Sequence, residues 1–384
     1  MDINLTDFIN NNNLPKKGTK IVVAMSGGVD SSVTAALLNF AGYQVIGVSM
    51  KLYEASKKNN SKTCCSGIDI RDARSVAKKI GIKHFIIDYK SKFKESVIDD
   101  FVESYNNGFT PIPCIKCNQT VKFTDLIDFT KSIGSKYLAT GHYVKRIEKN
   151  DNVFLYQADD SQKDQSYFLF ATTQEQLKIL RFPLGGFSKK KIRDFANFFK
   201  LEVANKPDSQ DICFIPDGNY RDFLKKKSPK SFKRGVIESL DGKLMGYHDG
   251  LVNYTIGQRK GIGVGGIKGN SSHEPHYVID IDPINNKIIV GPRNKLRKYI
   301  IYIKDLNFCS KFLPEHSFKA NIKIRSGNNF VNGTVNIKNK IKNTGIVELS
   351  RPETGIAPGQ ACVFYDDFNK MIGGGWISAS EKNV

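Results

Sequence analysis

One heptapeptide constrains this chain more than any other segment: Ser26-Gly27-Gly28-Val29-Asp30-Ser31-Ser32. It lies between the β-branched run Lys20–Met25 (KIVVAM) and the helix-compatible apolar stretch Val33–Phe40. In that place the glycines let the backbone approach an anion closely. The helix start offers unpaired N–H groups and its positive dipole end, and the serine hydroxyls add donors. Asp30 can hold a magnesium ion or order the loop. The GxxxxGK[ST] pattern is absent, which excludes a kinase-like or GTPase-like phosphate site. The plainer reading is a tight strand-to-helix turn, but two glycines, an acid and three serines exceed what such a turn needs.

The segments that follow repeat the same rhythm. Gln44–Met50 and Lys83–Tyr89 have buried-strand patterns, as does Lys136–Thr140 (KYLAT). Ile70–Ile80, Phe93–Tyr105 and Thr120–Ile133 have helical spacing between them. Strands separated by helices predict right-handed crossovers and an α/β, doubly wound parallel sheet. After Pro216 the texture changes. Tyr220–Arg234 is basic, contains Pro229 and reads as a connecting unit with helical character. From Val236 onward short alternating strands follow, with turn signals at Asp241–Gly242, Asp282–Asn286 and Asn332–Gly333. His276–Ile281 and Lys287–Val290 read as a hairpin, and the last hundred residues as an antiparallel β-barrel or sandwich. Gly261–Gly269 reads as a mobile loop. The expected division is an N-terminal extension at 1–19, a catalytic domain at 20–215, a small central domain at 216–275 and a C-terminal barrel at 276–384.

The chain of 384 residues carries a net charge of +20, from 58 basic and 38 acidic residues. That surplus costs self-repulsion and suits a polyanionic partner, although a general bias toward Lys, Asn and Ile also contributes. Lys189–Lys191 and Lys225–Arg234 are the densest basic runs, and so candidate phosphate contacts. No apolar run reaches the roughly 20 residues needed to span a bilayer, and the start does not read as a signal peptide. The expectation is a cytoplasmic protein with no membrane partner.

Seven cysteines (Cys64, Cys65, Cys114, Cys117, Cys213, Cys309 and Cys362) form no disulfide framework. Cys117, beside Lys116 and ahead of a helix expected from Thr120, is placed for a lowered pKa. Cys213 lies in Pro207–Ile215 (PDSQDICFI). Two thiols about a hundred residues apart, with a phosphate loop, suggest sulfur chemistry in which one carries a persulfide and the other resolves it. Three alternatives stand beside this: half a zinc site at Cys114–Cys117, an iron–sulfur cluster on Cys114, Cys117 and Cys213, or core cysteines. Cys309 and Cys362 read as core residues, and Cys64–Cys65 as structural or incidental.

The loop resembles that of the ATP pyrophosphatases, which cleave ATP between the α and β phosphates. With six further motifs, the resemblance narrows to the tRNA-specific 2-thiouridylases. These motifs are GFTPIPCIKCN at Gly108–Asn118, ATGHY at Ala139–Tyr143, KDQSYFL at Lys163–Leu169, the PDSQDICFI segment, YTIGQRKGIGV at Tyr254–Val264 and RPETGIAPGQACVFY at Arg351–Tyr365. The resemblance implies a PP-loop catalytic domain, ATP with Mg2+, and 2-thiolation of the wobble uridine of the Lys, Glu and Gln tRNAs. The uridine C2 oxygen would be adenylated, a Cys213 persulfide would supply sulfur, and AMP and pyrophosphate would be released. ATP would contact Ala24, Met25, Ser26, Gly27, Gly28, Val29, Asp30, Ser31, Met50 and Gly141. Ile112, Pro113 and Cys114 would surround the target base. His142, Lys163, Asp164, Gln165, Arg325, Ser326 and Gln360 would touch tRNA. Cys117 would be the nucleophile and end in a transient disulfide with Cys213. The sulfur would come from a relay protein such as a cysteine desulfurase.

Two positions depart from the family pattern. Many members carry Asp where Cys114 stands, and a neutral thiol is a weaker base than a carboxylate. Ser326 replaces the aromatic that usually follows the arginine, which removes a stacking contact. His142 also reads as a hydrogen-bonded histidine at a strand end.

Overall fold

In the computed structural model of this chain, the structure describes residues 8–10, 12–53, 67–208, 212–215, 218–264, 275–310, 316–327, 329–339 and 341–380. Cys64, Cys65 and most of the Gly261–Gly269 run lie outside them.

The expected parallel sheet is present. Its strands are β1 (Lys20–Ala24), β2 (Gln44–Lys51), β3 (Lys83–Asp88) and β4 (Tyr137–Ala139); the hairpin β5 (Lys145–Lys149) and β6 (Asn152–Tyr156) precedes the short β7 (Leu180–Arg181). The order is β3-β2-β1-β4-β7 with every pair parallel. Alternate residues of β1 point to opposite faces, and each face seeds its own core. Val22 joins Val48, Met50, Phe93, Phe101, Cys117 and Val121 on one side. Ile21 and Val23 join the helix Val29–Phe40 and the helix Lys189–Phe198 on the other. The chain leaves β1 toward β2 on one side and reaches β4 on the other, so the crevice at the carboxyl ends of β1 and β4 is the topological switch point where open α/β sheets bind ligands.

The helix expected from Thr120 starts earlier. Pro113 occupies its first turn, where a missing N–H costs nothing and φ is pre-set. The backbone stays helical from Pro113 to Cys117, widens to π geometry over Asn118–Asp125 and returns to α over Leu126–Ser132. Cys117 is therefore inside a helix rather than ahead of one.

Beyond the helix Tyr220–Lys227 comes a four-stranded sheet of β8 (Gly235–Ser239), β9 (Leu244–His248), β10 (Tyr277–Asp282) and β11 (Lys287–Gly291), in the order β10-β11-β8-β9. The β10–β11 hairpin forms as expected around Asp282–Asn286. However, β11 pairs in parallel with β8 instead of entering the barrel. Val278, Ile288 and Val290 complete the core around Ile237, so the sheets divide near residue 292 and not at 275.

The last part is a closed antiparallel barrel. It comprises β12 (Lys298–Phe308), β13 (Ser317–Lys323), β14 (Val331–Asn339), β15 (Thr344–Glu353), β16 (Ala361–Tyr365) and β17 (Met371–Ile377), in the order β12-β15-β14-β13-β16-β17. Asn332–Gly333, a turn signal by sequence, lies inside β14. Glycine serves a close approach there, because a Cβ on Gly333 would stand 2.8 Å from the Glu348 carbonyl oxygen.

Barrel and catalytic domain are joined by buried polar contacts. Asp164 and Lys323 form an ion pair at 3.2 Å with both side chains inaccessible. Ser166 and Tyr365 share a hydroxyl hydrogen bond at 2.8 Å, and Tyr167 donates to the Ala361 carbonyl. Thr110 N–H donates to the Pro358 carbonyl, and Gln360 Nε2 donates to the Thr110 carbonyl at 2.7 Å. No helix among the described residues is long and apolar enough to cross a membrane.

Candidate active site

The phosphate loop follows β1 directly. Gly27 has φ +76°, and a Cβ there would stand 2.1 Å from the Asp69 carbonyl oxygen, so no other residue fits. Gly28 caps the helix Val29–Phe40 without a side-chain hydrogen bond, leaving first-turn N–H groups available to an anion. Ser31 Oγ accepts from Ser26 N–H at 3.1 Å and lies 3.2 Å from Ser26 Oγ, so both hydroxyls are held at the loop's mouth. After β4 the chain brings Gly141 against the same helix start. A Cβ on Gly141 would stand 2.9 Å from the Ser31 nitrogen. The loop after β1 and the loop after β4 thus meet at the switch point. Met50, at the end of β2, is buried on the face that also holds Cys117.

Asp30 orders this loop. Its carboxylate accepts from the Tyr143 hydroxyl at 2.6 Å and from Lys189 Nζ at 2.8 and 2.9 Å. Lys189 also pairs with Asp208 at 2.8 Å, which in turn meets Lys163 at 2.9 Å and Arg193 at 3.3 Å. Burial alone would raise the Asp208 pKa, but the hydrogen bonds from Lys189 and Lys163 outweigh it and hold the carboxyl below its usual range. On the loop's other side Lys206 donates to the Gly27 carbonyl at 3.0 Å and to Asp69 and Asp72. Burial favours neutral Lys206, yet these carboxylates raise its pKa overall. Burial, then the Asp30 charge, likewise raises the Tyr143 pKa well above its ordinary value. Lys189, read as part of a tRNA-facing basic run, is only 12% exposed and belongs to the phosphate loop instead. Lys189, Lys206, Tyr143 and Asp208 were missed as site residues. Asp208 and Tyr143 lie within recognised motifs, whereas only the fold brings the two lysines to Gly27 and Asp30.

The described groups do not prepare a metal centre. Asp30 is occupied by Lys189 and Tyr143, and no group of three or more His, Cys, Asp or Glu among the described residues is gathered to hold a metal ion. Cys114, Cys117 and Cys213 therefore do not fit an iron–sulfur cluster in this arrangement. The glycine cradle and open helix N-terminus do fit a polyphosphate.

The cysteines differ sharply in surroundings. Cys114 is exposed, Cys117 is buried and Cys213 is half-buried. Cys117 belongs to the apolar cluster against which Ile112, Ile212 and Cys213 also pack, together with Phe214. Phe214 sits edge-on to Phe93 and Phe101 and holds the Cys213 segment to that cluster. The expected low pKa at Cys117 is overturned: burial pushes its thiol up to about 11, outweighing the opposing charge of Lys122. Next to it Asn118 donates to the Phe168 carbonyl at 3.2 Å, while its buried Oδ1 has no hydrogen-bond partner. Burial also raises the pKa of Cys309 to about 12 and that of Cys362 further still, as suits core thiols.

Profiles of three successive domains match the chain: a tRNA methyl transferase HUP domain over residues 19–217, a tRNA methyl transferase PRC-barrel domain over 221–292 and an aminomethyltransferase beta-barrel domain over 298–377. The tRNA-specific 2-thiouridylase MnmA of Ehrlichia ruminantium (strain Gardel) is 47% identical over 367 residues, covering 95% of this chain and 96% of the relative. That of Wolbachia sp. subsp. Drosophila simulans (strain wRi) is 50% identical over 360 residues, covering 93% and 94%. The chain belongs to the tRNA-specific 2-thiouridylase family. Among solved structures, the U34-tRNA thiolase NcsA from Methanococcus maripaludis with its [4Fe-4S] cluster aligns over 60% of this chain and 72% of its own, at 17% identity and a TM-score of 0.36. A likeness that distant says nothing about this chain's chemistry.

For a 2-thiouridylase, the residues expected to touch tRNA divide into two groups. Arg325 and Ser326 are exposed, and Gln360 is half-buried beside the Thr110 loop. Asp164 is not available to RNA. Besides Lys323 it accepts from Ala158 N–H, Ser166 N–H, Ser166 Oγ and Gln157 Nε2, because it is the buried hub between two domains. Gln165 accepts from Tyr143 N–H at 3.0 Å, and Lys163 is paired with Asp208. His142 is hydrogen-bonded to Thr140 at 2.8 Å and stands edge-on to Phe123 and Phe182. Burial drives its pKa down to about 3, so it is a neutral ring with no charge to offer a phosphate.

Proposed function

We propose that this 2-thiouridylase uses ATP bound at Ala24–Ser31 to activate the C2 oxygen of a tRNA wobble uridine, which sulfur from a Cys213 persulfide then replaces. The observation that carries the reading is that one sheet presents the phosphate cradle at the end of β1 and both candidate thiols on the core packed against its face.

The C2 oxygen attacks the α-phosphorus and pyrophosphate leaves. Adenylation turns a poor leaving group into AMP. The Cys117 thiolate attacks the Cys213 sulfur of the persulfide, forming the Cys117–Cys213 disulfide and releasing hydrosulfide. Hydrosulfide adds to C2, AMP departs, and a C=S bond and a proton remain. A thiol reductant later restores both cysteines. Lys189 and Lys206 hold Asp30 and Gly27 so that the loop's N–H groups face the phosphates. Magnesium would arrive on those phosphates, which ordinarily supply much of its coordination. With a thiol pKa of about 11, Cys117 is almost wholly protonated at neutral pH, and Lys122 is the charge that favours its ionised form. Burial in this way protects an idle nucleophile from oxidation. Ile112, Pro113 and Cys114 would surround the flipped uridine. The sulfur reaches Cys213 from a relay protein such as a cysteine desulfurase, in the cytoplasm.

ATP turnover tests this reading. AMP and pyrophosphate should form only with tRNA that carries a wobble uridine, and 2-thiouridine should appear when a persulfide donor is added. AMP release at the same rate with a transcript carrying cytidine there would overturn it.

A further inference from the structure

Two recognised motifs, Tyr254–Val264 and Arg351–Tyr365, take no part in the chemistry above, yet they meet at one place. A cleft of about 610 Å³ opens where the three parts of the chain come together. Thr110 reaches it from the catalytic domain. Arg259 comes from the loop ahead of β10, Tyr277 from β10 itself, Arg293 from the turn before β12, and Arg325 and Gln360 from the barrel part. Three arginines line it and no acidic side chain is among its described walls. None of the three forms an ion pair among the described residues.

The cleft is built rather than incidental. The Arg325 guanidinium lies on the Gly355 backbone and donates to the Thr354 carbonyl, and a Cβ on Gly355, whose φ is +68°, would stand 2.1 Å from Arg325 Nη2. The segment ahead of Arg259 is pinned to β10, with Gly257 N–H donating to the Val278 carbonyl at 2.8 Å and Val278 N–H to Gln258 at 2.9 Å. Thr110 is tied to Pro358 and Gln360 across the domain junction. Thr110 is also two residues from Ile112, a reach of about 7 Å at full extension.

We propose that Arg259 and Arg293, with Arg325, bind backbone phosphates of the tRNA strand immediately beside the reacting uridine. This rests on the reading that Ile112–Cys114 surround that base. Guanidinium forks match phosphate oxygens bidentately, and such contacts position the strand without reading its sequence. With contacts from three parts of the chain, the cleft sets the register that delivers one nucleotide to the cysteines.

The test compares wild type, Arg259→Ala, Arg293→Ala, the double variant, and Lys78→Ala, an exposed cation on the helix Gly67–Lys79. Each single arginine variant should raise the KM for tRNA about tenfold near 0.15 M salt. Each should also flatten the slope of log affinity against log salt by about 0.7 per lost contact. Folding midpoint and the KM for ATP should match wild type, as should every property of Lys78→Ala. An unchanged slope and KM for tRNA, with normal thiolation, would remove the phosphates from this cleft and leave the base-binding reading standing. A raised KM for ATP instead would assign the cleft to the nucleotide and overturn the proposal. Wild-type protein that binds tRNA without salt dependence and does not thiolate it would point to failure of the underlying function.

Discussion

Cys213→Ser is expected to lower 2-thiouridine formation by at least a thousandfold while tRNA-dependent AMP formation continues at a substantial rate. A serine oxygen cannot carry the persulfide, so no sulfur reaches the site. The adenylation machinery proposed above, Gly27, Gly28, Asp30 and Lys189, belongs to the loop after β1 and its neighbours, and the substitution should leave it intact. Mass spectrometry of digested tRNA with a radiolabelled AMP assay reads both halves. Thiolation at more than a few per cent of the wild-type rate would move the sulfur to another residue. Loss of AMP formation alongside thiolation would make Cys213 part of the adenylation site.

Asp164→Ala is expected to destabilise the protein by about 3–5 kcal/mol, the usual cost of breaking a buried pair and stranding its partner. Lys323 would be left without its counter-ion at zero side-chain exposure, with only the Phe330 and Tyr365 rings, 5.3 and 5.6 Å away, to favour a charge there. Four other donors would lose their acceptor. The thermal midpoint should fall by roughly 10 °C, given a few degrees per kcal/mol for a unit of this size. Lys323→Met should cost less, because Asp164 would still accept four hydrogen bonds. Were Asp164 a surface residue facing RNA, its removal would move the midpoint hardly at all. The resemblance placed this aspartate against tRNA; the structure uses it to fasten the barrel to the catalytic domain.

The difference illustrates what a sequence can and cannot convey. The alternation of strands and helices was legible because a sheet buried on both faces writes itself as short apolar runs. The phosphate loop was legible because glycine at a positive φ has few substitutes. Partners distant in sequence were not. Nothing local to Lys189 tells it from Lys190 or Lys191, yet the fold delivers the first to Asp30 and Asp208. The β10–β11 hairpin was found from its turn, but its assignment to the middle sheet depends on pairing with β8, fifty residues upstream. Cys117 was misjudged for a related reason. Proximity to a helix start argued for a low pKa, but Pro113 starts that helix four residues before the cysteine and puts the thiol into the core. Asn332–Gly333 shows that a turn dipeptide can instead mark a close strand crossing.

The central claim is that Cys117 and Cys213, both on the apolar core beneath the sheet, meet during the reaction. A single turnover without reductant tests it most directly: enzyme carrying a persulfide, ATP and tRNA are mixed, quenched in acid with alkylating agent and digested. The account predicts one Cys117–Cys213 linked peptide for each 2-thiouridine formed. Stoichiometric 2-thiouridine with both cysteines recovered in alkylated form would contradict it.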